Sequence, residues 1–248
     1  KIETAASGGA TYGTTTPTST TVSFGTDVTI KAEPTANYIF ARWDDGDTNA
    51  ERVVTATVDK KYIAYFNVKT FKVSVDINDE TMGTVAGYGT FNAGTNVSLV
   101  ATPNAGYEFV GWSGDKTGTA TSLAINSLDK NYNLIATFKP KEYTITFKKA
   151  DGTTLSSKKE KYNTMPTVPA DPTKASTAEY SYDFAGWSPE VAIVTKDQTY
   201  TPTFTPKKRS YTIKFVDGDG NVKQESLWEY GTTPAYSGAT PTKTSTAQ

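Results

Sequence analysis

The chain has no histidine and no cysteine among its 248 residues. The first absence removes the usual general base, a common metal ligand and any Ser-His triad. The second removes disulfides and thiolate sites, so small units along this chain must hold together by packing alone. Small extracellular domains in many secreted proteins lean on disulfides, and a chain without cysteine suits instead the surface of bacteria that make little use of them. Net charge is also nearly absent, with 25 basic residues against 26 acidic ones and no cluster that would track a phosphate backbone, which argues against a nucleic-acid partner. No stretch approaches the roughly 18 apolar residues of a membrane span, so membrane insertion is not expected. No signal peptide is expected within the chain, and any targeting segment is expected to belong to a longer parent protein.

What is present is threonine, about one residue in six, together with tyrosine-rich aromatic content, a composition that favours exposed β-surface. Alternation is clear at Phe71, Val73, Val75, Ile77, at Leu134, Ala136, Phe138 and at Tyr200, Pro202, Phe204. Pro202 lacks a ladder donor and predicts an edge strand. Helical periodicity is almost absent.

The aromatic hexads YIFARW, YEFVGW and YDFAGW end at Trp43, Trp112 and Trp187, about 70 residues apart, so the chain reads as a row of similar small domains. GTDVTIKAEPTANYIFARW, from Gly25 to Trp43, aligns without a gap on GTNVSLVATPNAGYEFVGW, from Gly94 to Trp112. Asn37 and Gly106 share a turn position in which a left-handed residue is expected. A second kind of unit follows. YTITFKKADG from Tyr143 aligns with YTIKFVDGDG from Tyr211, each an inward Tyr-Ile-Phe strand ending in an Asp-Gly turn. DPTKASTAE, ending at Glu179, matches TPTKTSTAQ, ending at Gln248.

The period divides the chain into repeats at 1–69, 70–140 and 141–207 and a partial repeat at 208–248. The first repeat is expected to enter its opening strand partway, and the last to be cut inside an array that continues. Half a repeat cannot close its own hydrophobic face, so Tyr211, Ile213 and Phe215 are expected to pack on the third repeat or on a second chain. Short Lys- and Pro-bearing junctions at 67–69, 139–142 and 205–209 predict limited bending between units.

The hexads, the preceding GT-x-V stretches and the PTK block resemble bacterial surface repeats of the Listeria-Bacteroides, internalin-B-repeat type. The first two units resemble the divergent form, although Arg42 replaces the glycine that usually precedes the tryptophan. The resemblance implies an all-β, elongated tandem array of small β-grasp-like domains in a secreted or wall-attached bacterial protein. There such repeats serve as spacers or adhesive modules beside other domains of the parent. It brings no catalytic residues and no cofactor.

The residues themselves offer few sites. Asp44, Asp45, Asp47 and Asp115 sit beside glycines after tryptophans, where turns account for them better than a carboxylate pair for glycoside hydrolysis does. Asp217, Asp219 and Asn221 have the opening spacing of a calcium loop, but Val222 stands where glycine is needed and Trp228 where a bidentate glutamate is needed. A hairpin turn is the better reading, and no metal site is expected. The lysines around Glu160 read as the solvated face of a strand.

The tryptophans divide two functions. In a flat strand Trp112 and Trp187 would face away from Tyr107 and Phe109, or Tyr182 and Phe184. They must cover a second layer, turn inward through a bulge at the glycine, or stand exposed to stack on sugar rings. Trp228 aligns with Glu160, a position its sister repeat leaves charged. Leu227, Trp228 and Tyr230 are therefore the candidate contact patch, with local packing as the alternative. The leading expectation is a non-catalytic spacer. The other is a module that binds glycan or host protein through exposed aromatics or an open strand edge.

Overall fold

The computed structural model describes residues 1–240. Strands dominate it, and among the described residues there is no α-helix, only a 3-10 turn at Gly9–Thr11, and no helix long and apolar enough to cross a membrane. The chain forms two compact units, Lys1–Lys139 and Pro140–Gln248.

In the first unit the first repeat comprises β1 (Ile2–Ala6), β2 (Gly13–Thr16), β3 (Ser19–Thr20), β4 (Asp27–Pro34), β5 (Tyr38–Trp43), β6 (Glu51–Thr55) and β7 (Lys60–Val68). Its four-stranded sheet runs β3-β1-β7-β5, with β1 and β7 parallel at the centre, the arrangement of a β-grasp sheet. A three-stranded antiparallel sheet, β2-β4-β6, covers one face. Alternation supplies both inner faces: Val28, Ile30 and Ala32 from one sheet meet Ile2, Trp43, Tyr62 and Ala64 from the other in one buried cluster.

The second repeat repeats the plan with β8 (Thr70–Ile77), β9 (Gly83–Ala86), β10 (Gly89–Asn92), β11 (Val97–Pro103), β12 (Tyr107–Gly114), β13 (Ser122–Ile125) and β14 (Tyr132–Pro140). The sheets run β10-β8-β14-β12 and β13-β11-β9, and Val73, Leu99, Trp112, Leu134 and Phe138 lie between them.

The second unit differs in one layer. β15 (Glu142–Lys148), β16 (Thr154–Lys161), β17 (Tyr180–Ser188) and β18 (Gln198–Lys208) form a sheet ordered β16-β15-β18-β17, again with a central parallel pair. No strand occurs between Tyr162 and Glu179, so irregular chain replaces the second sheet and the buried core shrinks to Ile145, Phe147, Val194 and Tyr200. β19 (Ser210–Val216) and β20 (Val222–Glu229) then form a hairpin whose register repeats that of β15 and β16 residue for residue: Tyr211 faces Trp228 as Tyr143 faces Glu160. The PTK stretch that closes the chain lies outside the described residues.

Three expectations need correction. β18 is an interior strand, not an edge. Pro202 is tolerated because the parallel ladder with β15 ends at Tyr200, which leaves the proline without a ladder partner on that side. Asn37 is not left-handed, whereas Gly106 is, at φ 85°. The Asn37 carbonyl instead accepts the Lys69 N–H at 2.8 Å, so a neighbouring strand end fixes that turn. The junctions, finally, are shorter than expected, because the strands absorb their flanks and leave Lys69, Lys141 and Arg209 as single residues between one strand and the next.

Candidate functional site

A bulge decides where the tryptophans point. The β5–β7 ladder slips between Phe40 and Arg42, and the β17–β18 ladder slips between Phe184 and Gly186. One extra residue reverses the alternation, and the tryptophan turns to the same side as the phenylalanine before it. Trp43 is fully buried and Trp112 is 4% exposed, each with its Phe neighbour at a ring separation of 5.6 and 5.2 Å. Their indole N–H groups donate to the carbonyls of Asn49 and Ala120, both at 2.9 Å. A buried donor that is satisfied by its own loop has no need of a ligand.

Trp187 is packed differently. It is half-buried, edge-on to Phe147 at 4.8 Å and to Phe184 at 5.4 Å, and its indole nitrogen is buried without a hydrogen-bond partner among the described residues. In the first two repeats the loop after the tryptophan returns a carbonyl to the indole, whereas no described carbonyl meets the indole of Trp187.

The pivot before the tryptophan works in two ways. At Gly111 an added Cβ would lie 2.8 Å from the Gly118 carbonyl oxygen, so glycine is required there. At the matching place Arg42 instead lays its guanidinium 4.6 Å over the Tyr65 ring. A shallow depression of about 500 Å³ flanks Val110, Gly111 and Trp112, and threonines, serine and glycine complete its lining without an ionisable group.

The acidic residues are structural. Asp44 and Asp115 accept the backbone N–H of Ile63 and Asn133, pinning each tryptophan loop to the last strand. The Asn133 N–H is the main reason that the Asp115 carboxyl sits below the usual range. Asp45 and Asp47 pair with Arg52, whose guanidinium lies 5.6 Å over Trp43 and 5.1 Å over Tyr62. That clamp was not anticipated from sequence, because its members are spread over a turn and a strand. Asp217 accepts the N–H groups of Asp219 and Asn221 and pairs with Lys223 at 2.9 Å. Its carboxylate is thereby used up inside a hairpin turn, and no group of metal-ligating side chains occurs among the described residues.

The candidate patch does not gather on one surface. Leu227 is 71% exposed and lies opposite Thr212, on the outer face of the hairpin. Trp228 lies on the inner face opposite Tyr211, half-buried, with its indole N–H on the Ser226 hydroxyl at 2.8 Å. Tyr230 follows on that inner side, 6.5 Å from the Tyr211 ring. Trp228, Tyr230 and Tyr211 therefore form one aromatic group, and Leu227 stands apart from it.

A further set of residues was missed in the sequence. The carbonyls of Lys69, Lys141 and Arg209 accept the N–H groups of Ala93, Tyr162 and Tyr230 at 2.8, 2.8 and 2.9 Å. The Lys69 ammonium caps the Ala36 carbonyl at 2.7 Å, and the Arg209 guanidinium caps that of Thr177 at 2.7 Å. Tyr211 adds a hydroxyl bond to the Ala178 carbonyl. A basic residue recurring between each closing strand and the next opening strand was the available signal.

Comparison with known families places these features. Residues 3–70 and 73–142 each match the divergent InlB B-repeat domain, and residues 143–208 match the Listeria-Bacteroides repeat domain. No curated protein matches the chain.

Proposed function

The chain belongs to the divergent InlB B-repeat family, and from that premise we propose that it is a non-catalytic spacer holding neighbouring domains of a bacterial surface protein apart. These repeat families are typical of bacterial surface proteins and are generally structural. The observation that carries the spacer reading is the burial of Trp43 and Trp112 with their indole N–H groups satisfied internally. The residues best suited to stack on a sugar are committed to packing. Single-residue junctions support it further. Lys69 is bonded through its N–H, its carbonyl and its ammonium, so little torsional freedom remains between the first two repeats. Placement outside the cell, on the bacterial surface, follows from the same reading.

A second reading, a module that binds host protein or glycan, draws on the half-buried Trp228 and the exposed Tyr230 beside a strand, β19, that pairs only with β20 among the described residues. A glycan array probed with the whole chain separates the two. The spacer gives no saturable binding, whereas saturable binding that Trp228→Ala abolishes would replace it with the module.

A further inference from the structure

The corner at which the last strand of a repeat begins follows one plan in the second and third repeats. Leu128-Asp129-Lys130-Asn131-Tyr132 aligns there with Val194-Thr195-Lys196-Asp197-Gln198. The Leu128 and Val194 N–H groups donate to the Thr95 and Thr164 carbonyls, both at 2.9 Å, and the Asn131 and Asp197 side chains accept the N–H groups of Lys72 and Thr144 at 2.8 and 2.7 Å. Tyr132 then lies opposite Val73, and Gln198 opposite Ile145.

What fills the corner differs. In the second repeat the Tyr132 ring packs against the core, with the Lys130 ammonium 5.1 Å over it and its hydroxyl donating to Asp129 at 3.3 Å. In the first, Lys60 stands at the Tyr132 place and lies 4.4 Å over the Tyr62 ring, which Arg52 also covers at 5.1 Å. In the third, the Gln198 amide turns back onto the Thr199 carbonyl at 2.9 Å, and a pocket of about 240 Å³ opens. The buried Ile145, Val194 and Tyr200 line it, with Glu190, Thr195 and Lys196 around them. Neither the Lys196 ammonium nor the Glu190 carboxylate has an ion-pair, hydrogen-bond or ring partner among the described residues. The third repeat thus keeps the lysine of the second repeat's pair and lacks its ring.

We propose that this pocket receives a tyrosine side chain from an extended segment of another protein. The incoming ring takes the place that Tyr132 holds in the second repeat, against Ile145 and Tyr200 and beneath the Lys196 ammonium, and its hydroxyl reaches Thr195, which stands where Asp129 does. A neutral ring suits both rims, because Lys196 repels a cation drawn to Tyr200 and Glu190 repels a carboxylate drawn to Lys196. The backbone identifies the source as a polypeptide. Glu190, Val191, Ala192 and Ile193 make no backbone hydrogen bond among the described residues, so four consecutive N–H and carbonyl groups beside the pocket are open to an extended chain. The inference goes beyond the spacer reading, and its failure leaves that reading intact, since the spacer stands on Trp43 and Trp112 in the other two repeats.

The test follows the methyl groups of Ile145, Ile193 and Val194 by NMR in the whole chain, with acetyl-Gly-Tyr-Gly-amide as the probe. Saturable shifts at these methyls, half complete near about 1 mM, are expected, with acetyl-Gly-Leu-Gly-amide binding about tenfold more weakly. Gln198→Tyr restores the ring of the second repeat and should remove the binding. Lys196→Ala, at the exposed rim, should weaken it about two- to fivefold. No saturation up to about 20 mM, equal binding of the leucine peptide, or unchanged binding by Gln198→Tyr overturns the inference. If p-cresol binds as tightly as the tyrosine peptide, the polypeptide source is overturned in favour of a free phenol, and self-association that Gln198→Tyr removes overturns it in favour of a second copy. Where Gln198→Tyr disturbs methyls far from the pocket, Lys196→Ala decides: the expected loss supports the inference, and unchanged affinity overturns it.

Discussion

The hairpins β15–β16 and β19–β20 have the same register and nearly the same inward residues, yet among the described residues only one of them has a buried core. Ile145 and Phe147 are 3% and 1% exposed, whereas Ile213 and Phe215 are only half-buried. Among the described residues, the difference lies in what packs over each hairpin. β18 pairs in parallel with β15 and brings Tyr200, stacked on Phe147 at 5.0 Å, and Trp187 and Val194 close over the same side. The Val194 N–H and carbonyl are tied to Thr164 and Asn163, which fixes that cover. Over β19–β20 the comparable cover is Tyr236, whose ring lies 5.5 Å from Phe215. The alternating pattern specifies strand and face. Burial depends on elements the pattern does not contain.

The largest test of this comparison removes the matching phenylalanines. Phe147→Ala should cost about 3–5 kcal/mol, enough to unfold the third repeat in a small core. Phe215→Ala, on an open face, should cost about 1 kcal/mol or less. Thermal unfolding with amide exchange on β15 and β19 reads both. Equal effects would mean that the fourth hairpin is covered as completely as the third.

The tandem plan and the core residues of β8 and β14 were readable because each follows from alternation and from comparing one repeat with another. The inward turn of the tryptophans was readable only as one of three options. A single-residue bulge reverses every later side chain, and its position depends on the ladder partner rather than on the strand's own sequence. The interior place of β18 was misread for a related reason, since the length of the β15–β18 ladder is a tertiary property. Of the candidate patch, Trp228 and Tyr230 share the inner side of the hairpin and Leu227 does not. The alignment identified an unusual position, and strand alternation then put its neighbour on the opposite face. The junction residues Lys69 and Arg209 act through their carbonyls as much as their charge, and backbone roles leave little trace in residue type.

A smaller effect tests the inner aromatic group. Glu160 holds the place of Trp228 and accepts the Thr167 N–H at 3.2 Å. In the fourth hairpin Trp228→Glu leaves the ladder intact and removes a half-buried ring, so its effect on stability should stay within about 1 kcal/mol. Analytical ultracentrifugation of the variant checks the contact reading at the same time. A fall in self-association or in ligand binding would make Trp228 a contact residue, while unchanged behaviour leaves it as cover for the open hairpin.

The smallest expected effect distinguishes the two hairpin turns. Asp151 is held below the usual carboxylate range by the Thr153 hydroxyl and then the Thr153 N–H, and Asp217 is held lower still by the Lys223 ammonium and then the Asn221 N–H. Both carboxyls are depressed in the folded chain, so each contribution to stability is complete above the unfolded value near ~3.9 and is lost as pH falls through the folded value. Salt should separate them. At 1 M the screening length is about 3 Å, which weakens an ion pair through its solvent-open Lys223 end, even with the Asp217 carboxyl only 5% exposed, more than it weakens hydrogen bonds from neutral donors. Carboxyl resonances followed by NMR from pH 5 downward, in low and high salt, should therefore show Asp217 rising towards the ordinary value with added salt while Asp151 hardly moves. Lys223→Ala should reproduce the shift without salt. Equal salt sensitivity at both residues would show that Lys223 does not engage Asp217, and the two turns would then be held by the same neutral hydrogen bonds despite their different sequences.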